Sequence, residues 1–316
     1  SIANKDELKL KELKELKEQE KQKHITNLKI IVFYEQYFND KNPVIRAGVA
    51  ESLGKLAQVA PDKALSFYEK GFNDEDSNVR AMAARSLEEL TQVALDKALV
   101  FYEKGFNDEH SYVREMAAKS LGKLAQVAPD KALAFYEKGF NDEHPRVRAM
   151  TAESLGKLAQ VAPDKVLSFY EQGFNDEHSY VRAMTAESLG KLAQVAPDKA
   201  LPFYEKGLND EDLDVREMAA RSLGGLAQAA PDKALPFYEK GFNDEHPYVK
   251  AMTAESLGKL AQVAPDKALS FYERGLQSED GDVRCIAAKS LGELAQVAPD
   301  KALPFYGKGL DRKSVV

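Results

Sequence analysis

Apolar residues recur along most of this chain at the three- and four-residue spacing of an amphipathic helix. At about 100° per residue, the apolar and small positions of residues 79–94 fall within one arc of about 140°, and the polar positions lie opposite. The positions in that arc are Val79, Met82, Ala83, Ser86, Leu87, Leu90, Val93 and Ala94. The pattern predicts a first helix of about four turns with one buried face.

A shorter amphipathic segment covers residues 62–72, after the sequence Ala60-Pro61-Asp62. Its predicted buried face consists of Ala64, Leu65, Phe67, Tyr68, Gly71 and Phe72. Proline ends the preceding helix, and we expect Asp62 to cap the second one. Glycine and a polar turn follow this second helix and end it.

Proline also predicts where the second helix begins. Pro202, Pro236 and Pro304 fall at one shared position of this segment. A proline inside a helix costs about 3 kcal/mol, whereas the first turn tolerates it. We therefore expect that position in the first turn, with the helix before Pro202 starting near Asp198 or Lys199.

The helix pair repeats every 34 residues without insertion or deletion. Its marker is a Val-Arg pair, present as Ile45-Arg46, Val79-Arg80, Val113-Arg114, Val147-Arg148, Val181-Arg182, Val215-Arg216, Val249-Lys250 and Val283-Arg284. We predict an all-α solenoid of eight 34-residue hairpins over residues 45–316. A half-repeat helix and turn (25–44) and a charged helical extension (1–24) precede it.

The first half of each unit resembles the HEAT repeat, especially its short, phycobilisome-lyase-type form. In one unit the matching residues are Asp108, Val113-Arg114, Ala117-Ala118 and Leu121-Gly122. The resemblance implies antiparallel helix pairs stacked in a curved superhelix, with the second helices on the concave side. The tetratricopeptide repeat is the alternative, since Ala64, Tyr68 and Gly71 match its second helix. The HEAT repeat is favoured because the Leu-Gly pair lies too close to Ala64, and Ala50 and Ala57 occupy the tetratricopeptide aromatic positions.

Charge and cysteine content restrict the partners and the compartment. With 44 basic and 51 acidic residues the net charge is −7, which argues against nucleic acid and anionic membranes. The one cysteine, Cys285, fits a reducing, cytoplasmic environment and is expected on the buried face. We take the chain, which begins at Ser1, as a mature form or a piece of a longer protein.

Most recurring polar and aromatic residues are expected to be structural. The arginine of the Val-Arg pair follows an acidic turn and should form a ladder of charges along the array. Phe67-Tyr68 and its equivalents should pack between second helices, and Ser86 and Ser120 should face inward. We predict no catalytic residue, no metal site and no cofactor.

Histidines provide the one hint of metal chemistry. Each of four turns carries a Glu-His pair, with the histidines at His110, His144, His178 and His246. The pairs are similar to those of deoxyhypusine hydroxylase, a HEAT-repeat di-iron enzyme, but the order is reversed and they precede the helix. Adjacent hairpins also lie about 10 Å apart, too far for neighbouring histidines to share an ion. We expect exposed turn histidines.

The predicted function is a protein-binding scaffold or sensor arm, and the chain is not predicted to be an enzyme. The partner is a protein or peptide. The near-identity of the units means either that this partner is itself repetitive or that duplication was recent and binding is localised. The predicted contact residues on the concave stripe are Lys63, Glu69, Lys70, Lys97, Glu103, Lys104, Lys131, Glu137, Lys138, Lys165, Glu171, Lys199, Glu205, Lys206, Lys233, Glu239 and Lys240. The alternatives are a HEAT-like metal hydroxylase or lyase and a self-associating spacer, with homo-oligomers formed through the uncapped C-terminal end.

Overall fold

The computed structural model describes residues 15, 18, 19, 22 and 25–311, so most of the predicted charged extension lies outside the described residues. The chain divides into two compact units, Ser1–Ser120 and Leu121–Val316. No strand occurs among residues 25–311.

In the first unit, α1 covers the described residues 25–38. The helices that follow are α2 (Pro43–Glu51), α3 (Leu53–Val59), α4 (Pro61–Phe72), α5 (Ser77–Arg85), α6 (Leu87–Val93), α7 (Leu95–Phe106) and α8 (Ser111–Lys119). The α2–α3 and α5–α6 pairs form the first helices of two hairpins, and α4 and α7 are their second helices. First helices pack on first helices, and α7 packs on α4.

The second unit continues the same alternation with longer first helices. Its elements are α9 (Leu121–Val127), α10 (Pro129–Phe140), α11 (Pro145–Val161), α12 (Leu167–Phe174), α13 (Ser179–Val195), α14 (Pro197–Leu208), α15 (Leu213–Ala229), α16 (Pro231–Phe242), α17 (Pro247–Val263), α18 (Pro265–Gln277), α19 (Gly281–Val297) and α20 (Pro299–Asp311). Here α13 packs between α11 and α15, while α14 packs between α12 and α16. The predicted all-α solenoid class is confirmed, and the count of eight hairpins stays a prediction.

Second helices form the aromatic core of each stack. The Phe203 ring lies 5.4 Å from the Tyr170 ring and 5.9 Å from the Phe174 ring of the preceding hairpin. Tyr170 is fully buried, and its hydroxyl donates to the Ser188 carbonyl of the next first helix at 3.0 Å. Burial raises the pKa of Tyr170 well above its usual value, so the phenol stays neutral. The predicted core role of the Phe-Tyr pair is confirmed.

Close approach of the helices requires small residues at a few positions. A Cβ added to Gly71 on α4 would lie 2.9 Å from the Ala83 Cβ on α5, and one added to Gly122 would lie 3.1 Å from Lys157 Cγ. Both glycines therefore keep neighbouring helices close together, as expected from their place inside helices.

First helices differ between the units in a way that the sequence does not predict. Those of the first unit break at Ser52 and Ser86, whereas those from α11 onward continue for 17 residues. The serine hydroxyl bonds the carbonyl three residues earlier both at Ser86 in a broken helix and at Ser154 in a continuous one. That bond bends helices but does not explain the difference.

The second helix also begins earlier than predicted. Pro197 is its first residue in α14, and Ala196 occupies the N-cap without a side-chain bond, so the aspartate does not cap. Pro202 is consequently the sixth residue of α14, and its predicted place in the first turn is wrong. Pro202 is tolerated because it lies on the exposed side, where the carbonyl without an N–H partner can be hydrated.

Candidate protein-binding surface

Arginines and aspartates join the turns of neighbouring hairpins. Arg46 Nε and Nη2 donate to the two carboxylate oxygens of Asp74 at 2.7 and 2.9 Å, and Nη1 donates to the Asp40 carbonyl at 2.9 Å. One guanidinium thus binds its own turn and the next turn together, and the bidentate geometry is the strong form of this bond.

The same pair recurs with a spacing of 28 residues, and we name the set the turn ladder. Its pairs are Arg46–Asp74, Arg80–Asp108, Arg148–Asp176, Arg182–Asp210 and Arg216–Asp244. Burial opposes ionisation of Asp74, but its hydrogen bonds from Arg46 and the Asp76 amide outweigh that effect and hold its pKa below the usual value. The predicted charge ladder is confirmed as a structural feature.

A second set of ion pairs links the exposed sides of successive second helices. Near their amino ends, a lysine binds the aspartate of the preceding hairpin, which we name the Asp row: Lys165–Asp130, Lys199–Asp164, Lys233–Asp198, Lys267–Asp232 and Lys301–Asp266. Nearer their carboxyl ends lies the Glu row: Lys104–Glu69, Lys206–Glu171, Lys240–Glu205 and Arg274–Glu239. Both rows join residues 35 positions apart.

Asparagines complete the Glu row. Lys206 Nζ donates to Glu171 at 2.6 Å and to Asn175 Oδ1 at 2.9 Å, and the Asn175 amide donates to Glu171 at 3.0 Å. Hydrogen bonds from Lys206 and then from Asn175 lower the pKa of Glu171. In the sequence this asparagine belongs to the polar turn after the second helix. Its position four residues after the glutamate is the signal that identifies its role.

Some cations of this face also lie over aromatic rings. Lys70 Nζ lies 5.8 Å from the centre of the Phe67 ring, and Lys104 Nζ lies 5.6 Å from that of Phe101. The Arg274 guanidinium lies 5.4 Å from the Phe242 ring. These contacts orient the cations above the core aromatic residues.

None of the predicted contact residues is buried. They lie on second helices, except for Lys165 in the turn before α12. The structure brings many of them together as the Asp and Glu rows rather than as separate groups. At one junction Gln172 replaces the lysine and donates to Asn141 at 3.0 Å. Whether these residues contact a partner stays a prediction.

Three of the four turn histidines cap the helix that follows them. His110 Nδ1 accepts from the Tyr112 amide at 3.3 Å, as His144 and His246 do at their own turns. His178 instead lies 3.1 Å from Arg148 Nη2. His110 and His178 are exposed as predicted, whereas His144 and His246 are half-buried. Within the described residues, no group of three or more His, Cys, Asp or Glu side chains is placed to hold a metal ion.

Cys285 on α19 is exposed, so its predicted place in the core is wrong. In several internal hairpins the equivalent residue is a buried alanine, such as Ala251. Among the described residues no further hairpin covers α19, which leaves Cys285 open to solvent.

First helices of the first unit border a groove of about 530 Å³ that the sequence did not indicate. Gly48 opens it, since six other units carry a methionine there and the last carries Ile286. Charged side chains line it, including an Arg85–Glu51 pair at 3.3 Å. The groove is polar and its charges are balanced.

Solved structures with the same fold include large solenoids. Yeast importin-β (Kap95p) matches with a TM-score of 0.59 and 14% identity over 82% of this chain and 40% of that one. A structure of Kap95p that concerns its binding to RanGDP matches with a TM-score of 0.57 and 15% identity. The match covers 85% of this chain and 41% of Kap95p. This chain therefore spans about two fifths of the length of Kap95p. YibA of Escherichia coli matches with a TM-score of 0.52 and 16% identity, over 83% of this chain and 90% of YibA.

Sequence families agree with this fold. No curated protein sequence matches significantly. Across the described residues no helix is both long and apolar enough to cross a bilayer. A family model described as HEAT repeats matches residues 100–190 and 167–257, and one described as HEAT repeat matches residues 64–94 and 268–298. The chain belongs to the HEAT-repeat family.

Proposed function

We propose that this chain is a protein-binding scaffold that contacts its partner through the exposed side of its second helices. The observation that carries the proposal is the Glu row. Each glutamate is held by a cation of the next hairpin, and Glu171 and Glu205 also by the asparagine of their own turn. Charged groups that are already ordered lose little conformational entropy on binding, and they favour a partner with complementary charges.

The repeat spacing indicates the form of the partner. The same polar groups recur once per hairpin, about every 10 Å as helix packing sets it. An extended, polar segment can place a group opposite each unit, and a segment with its own repeat can do so in register. The predicted contact residues therefore suit a repetitive protein or peptide.

Structural relatives support a protein as the partner. Kap95p, which shares the fold, binds RanGDP. The likeness is one of fold, and this chain covers 41% of that one. It supports the class of partner and says nothing of its identity.

The proposal is tested by affinity capture with the full chain from an extract of its own cell. We compare the wild type with Lys206→Gln/Lys240→Gln, which removes two cations of the Glu row. The matched control is Lys119→Gln/Lys289→Gln, which removes two exposed lysines of first helices. We expect the control to retain each captured protein and the Glu-row variant to lose it. Equal capture by all three proteins contradicts the proposal.

A further inference from the structure

The junction between α17 and α19 lacks the Arg–Asp pair of the turn ladder. At the preceding junction Arg216 binds Asp244 with an Nε–Oδ2 distance of 2.8 Å. At the next one, Lys250 occupies the arginine position and Ser278 occupies the aspartate position. Both members of a mostly buried ion pair are therefore replaced together, and the carboxylate that the cation would face is missing.

Ser278 retains only part of the aspartate's role. Its Oγ accepts from the Asp280 amide at 3.2 Å, as Asp244 Oδ1 accepts from the His246 amide at 2.8 Å. The serine thus still shapes the turn, but it brings no negative charge. A hydroxyl that accepts one bond keeps its own O–H to donate.

A cavity of about 690 Å³ lies at this junction and is lined by Lys250 and Ser278, with Phe242 and Pro247 as apolar walls. Lys250 is half-buried. Among the described residues its Nζ forms no hydrogen bond or ion pair. At this rung Lys250 lacks the counter-charge that the arginine has at the other rungs, which makes an anion in contact with its Nζ stabilising.

Two of the other charged groups that line the cavity already form hydrogen bonds, and the third is exposed. Arg274 binds Glu239 and Asn243, and the Asp280 carboxylate accepts from the amides of Asp282 and Val283. Glu279 is exposed and forms no ion pair with Lys250 among the described residues. Two carboxylates already lie near the one uncommitted cation, which disfavours a dianion such as phosphate more strongly than a single carboxylate in direct contact with Lys250.

We propose that this cavity binds a carboxylate supplied by another molecule, in the place that aspartate occupies at the other rungs of the turn ladder. Lys250 provides the cation and the Ser278 hydroxyl donates a hydrogen bond. The carboxylate comes either from a free small acid or from an Asp, Glu or C-terminus of a bound protein. This site lies apart from the Asp and Glu rows and stands independently of the protein-binding proposal.

The test uses two probes on the full chain: acetate, and the peptide acetyl-Gly-Asp-Gly-amide with its Asn counterpart as a blank. Binding is followed by the amide ¹⁵N and ¹H chemical shifts of residues 278–283. We expect saturable shifts with both carboxylates and none with the Asn peptide. Similar affinity for both probes indicates that a free acid suffices, whereas clearly tighter peptide binding indicates a protein source.

Three variants decide the assignment. Ser278→Asp supplies the missing carboxylate from the chain itself and should weaken both probes at least about tenfold, the scale of one charge-assisted hydrogen bond. Lys250→Gln should do the same, while Lys289→Gln, an exposed lysine on α19, should bind as wild type does. Ser278→Asp places an aspartate where the other rungs of the turn ladder carry one, and it is expected to fold. Absence of saturable shifts in the wild type, or unchanged affinity in Ser278→Asp, overturns the proposal.

Discussion

The turn ladder and the Glu row both join neighbouring hairpins with ion pairs, but their environments differ. In the turn ladder Arg182 and Asp210 expose 11% and 12% of their side chains, whereas in the Glu row Lys206 and Glu171 expose 38% and 57%. Buried, bidentate pairs cannot be broken without leaving a desolvated charge, while exposed pairs exchange readily with water and salt. Similar charge patterns in one repeat therefore serve stability in the turns and leave exposed charges on the second helices.

Among these substitutions, removing one partner of a turn-ladder pair should cause the largest loss in the free energy of unfolding. Arg182→Ala leaves Asp210 mostly buried without its cation and deletes the bond to the Asp176 carbonyl. We expect a loss of about 3 kcal/mol in the free energy of unfolding, measured with urea. Arg182→Lys keeps the positive charge and should lose less free energy of unfolding than Arg182→Ala. A change below about 0.5 kcal/mol in Arg182→Ala would show that the ladder does not stabilise the stack.

Acid should weaken the turn ladder. The pKa of Asp74 is lower in the folded protein than in the unfolded chain. Its stabilisation is therefore present above the unfolded value near 4 and is lost as the pH falls through the lower folded value. We expect the urea concentration at the midpoint of unfolding to decrease when the pH is lowered below about 4. The Arg46→Gln variant, which lacks that rung, should show a smaller decline, and an equal decline would remove Asp74 from the explanation.

Restoring the interrupted rung should stabilise the second unit. Lys250→Arg combined with Ser278→Asp recreates the pair found at Arg216 and Asp244. We expect a gain of about 1 kcal/mol for the double variant, more than the sum of the two single changes, because each substitution requires the other. Additive single effects would mean that no new pair has formed.

The Glu row should contribute least to stability. Lys206→Gln removes an exposed cation from Glu171 and should cost about 0.5 kcal/mol. Because exposed pairs are screened, the cost should shrink when salt is added. A loss comparable to that of Arg182→Ala would remove the distinction between the two sets of ion pairs.

Periodicity in the sequence predicts the faces of the helices well. The residues Ala64, Phe67, Tyr68, Gly71 and Phe72 are buried together as expected. Such positions are determined by local helical geometry, which the sequence carries directly. The ladder arginines follow from the same regularity, since an acidic turn precedes each of them.

Contacts between hairpins were harder to predict. The pairing of Lys206 with Glu171 depends on how two second helices align, and the spacing of 35 residues becomes apparent only in the stack. The expected burial of Cys285 fails because equivalents such as Ala251 are followed by a further first helix, and among the described residues none follows α19. The first helix breaks at Ser86 but is continuous in α11, although the apolar residues have the same spacing in both.

Hydrogen–deuterium exchange of the full chain with and without its captured partner tests most directly whether recognition lies on the second helices. We expect new protection in segments 197–208 and 231–242, which carry Lys206 and Lys240, and unchanged exchange in the first-helix segments 179–195 and 213–229. Protection confined to the first helices, with the second helices unchanged, would contradict this assignment.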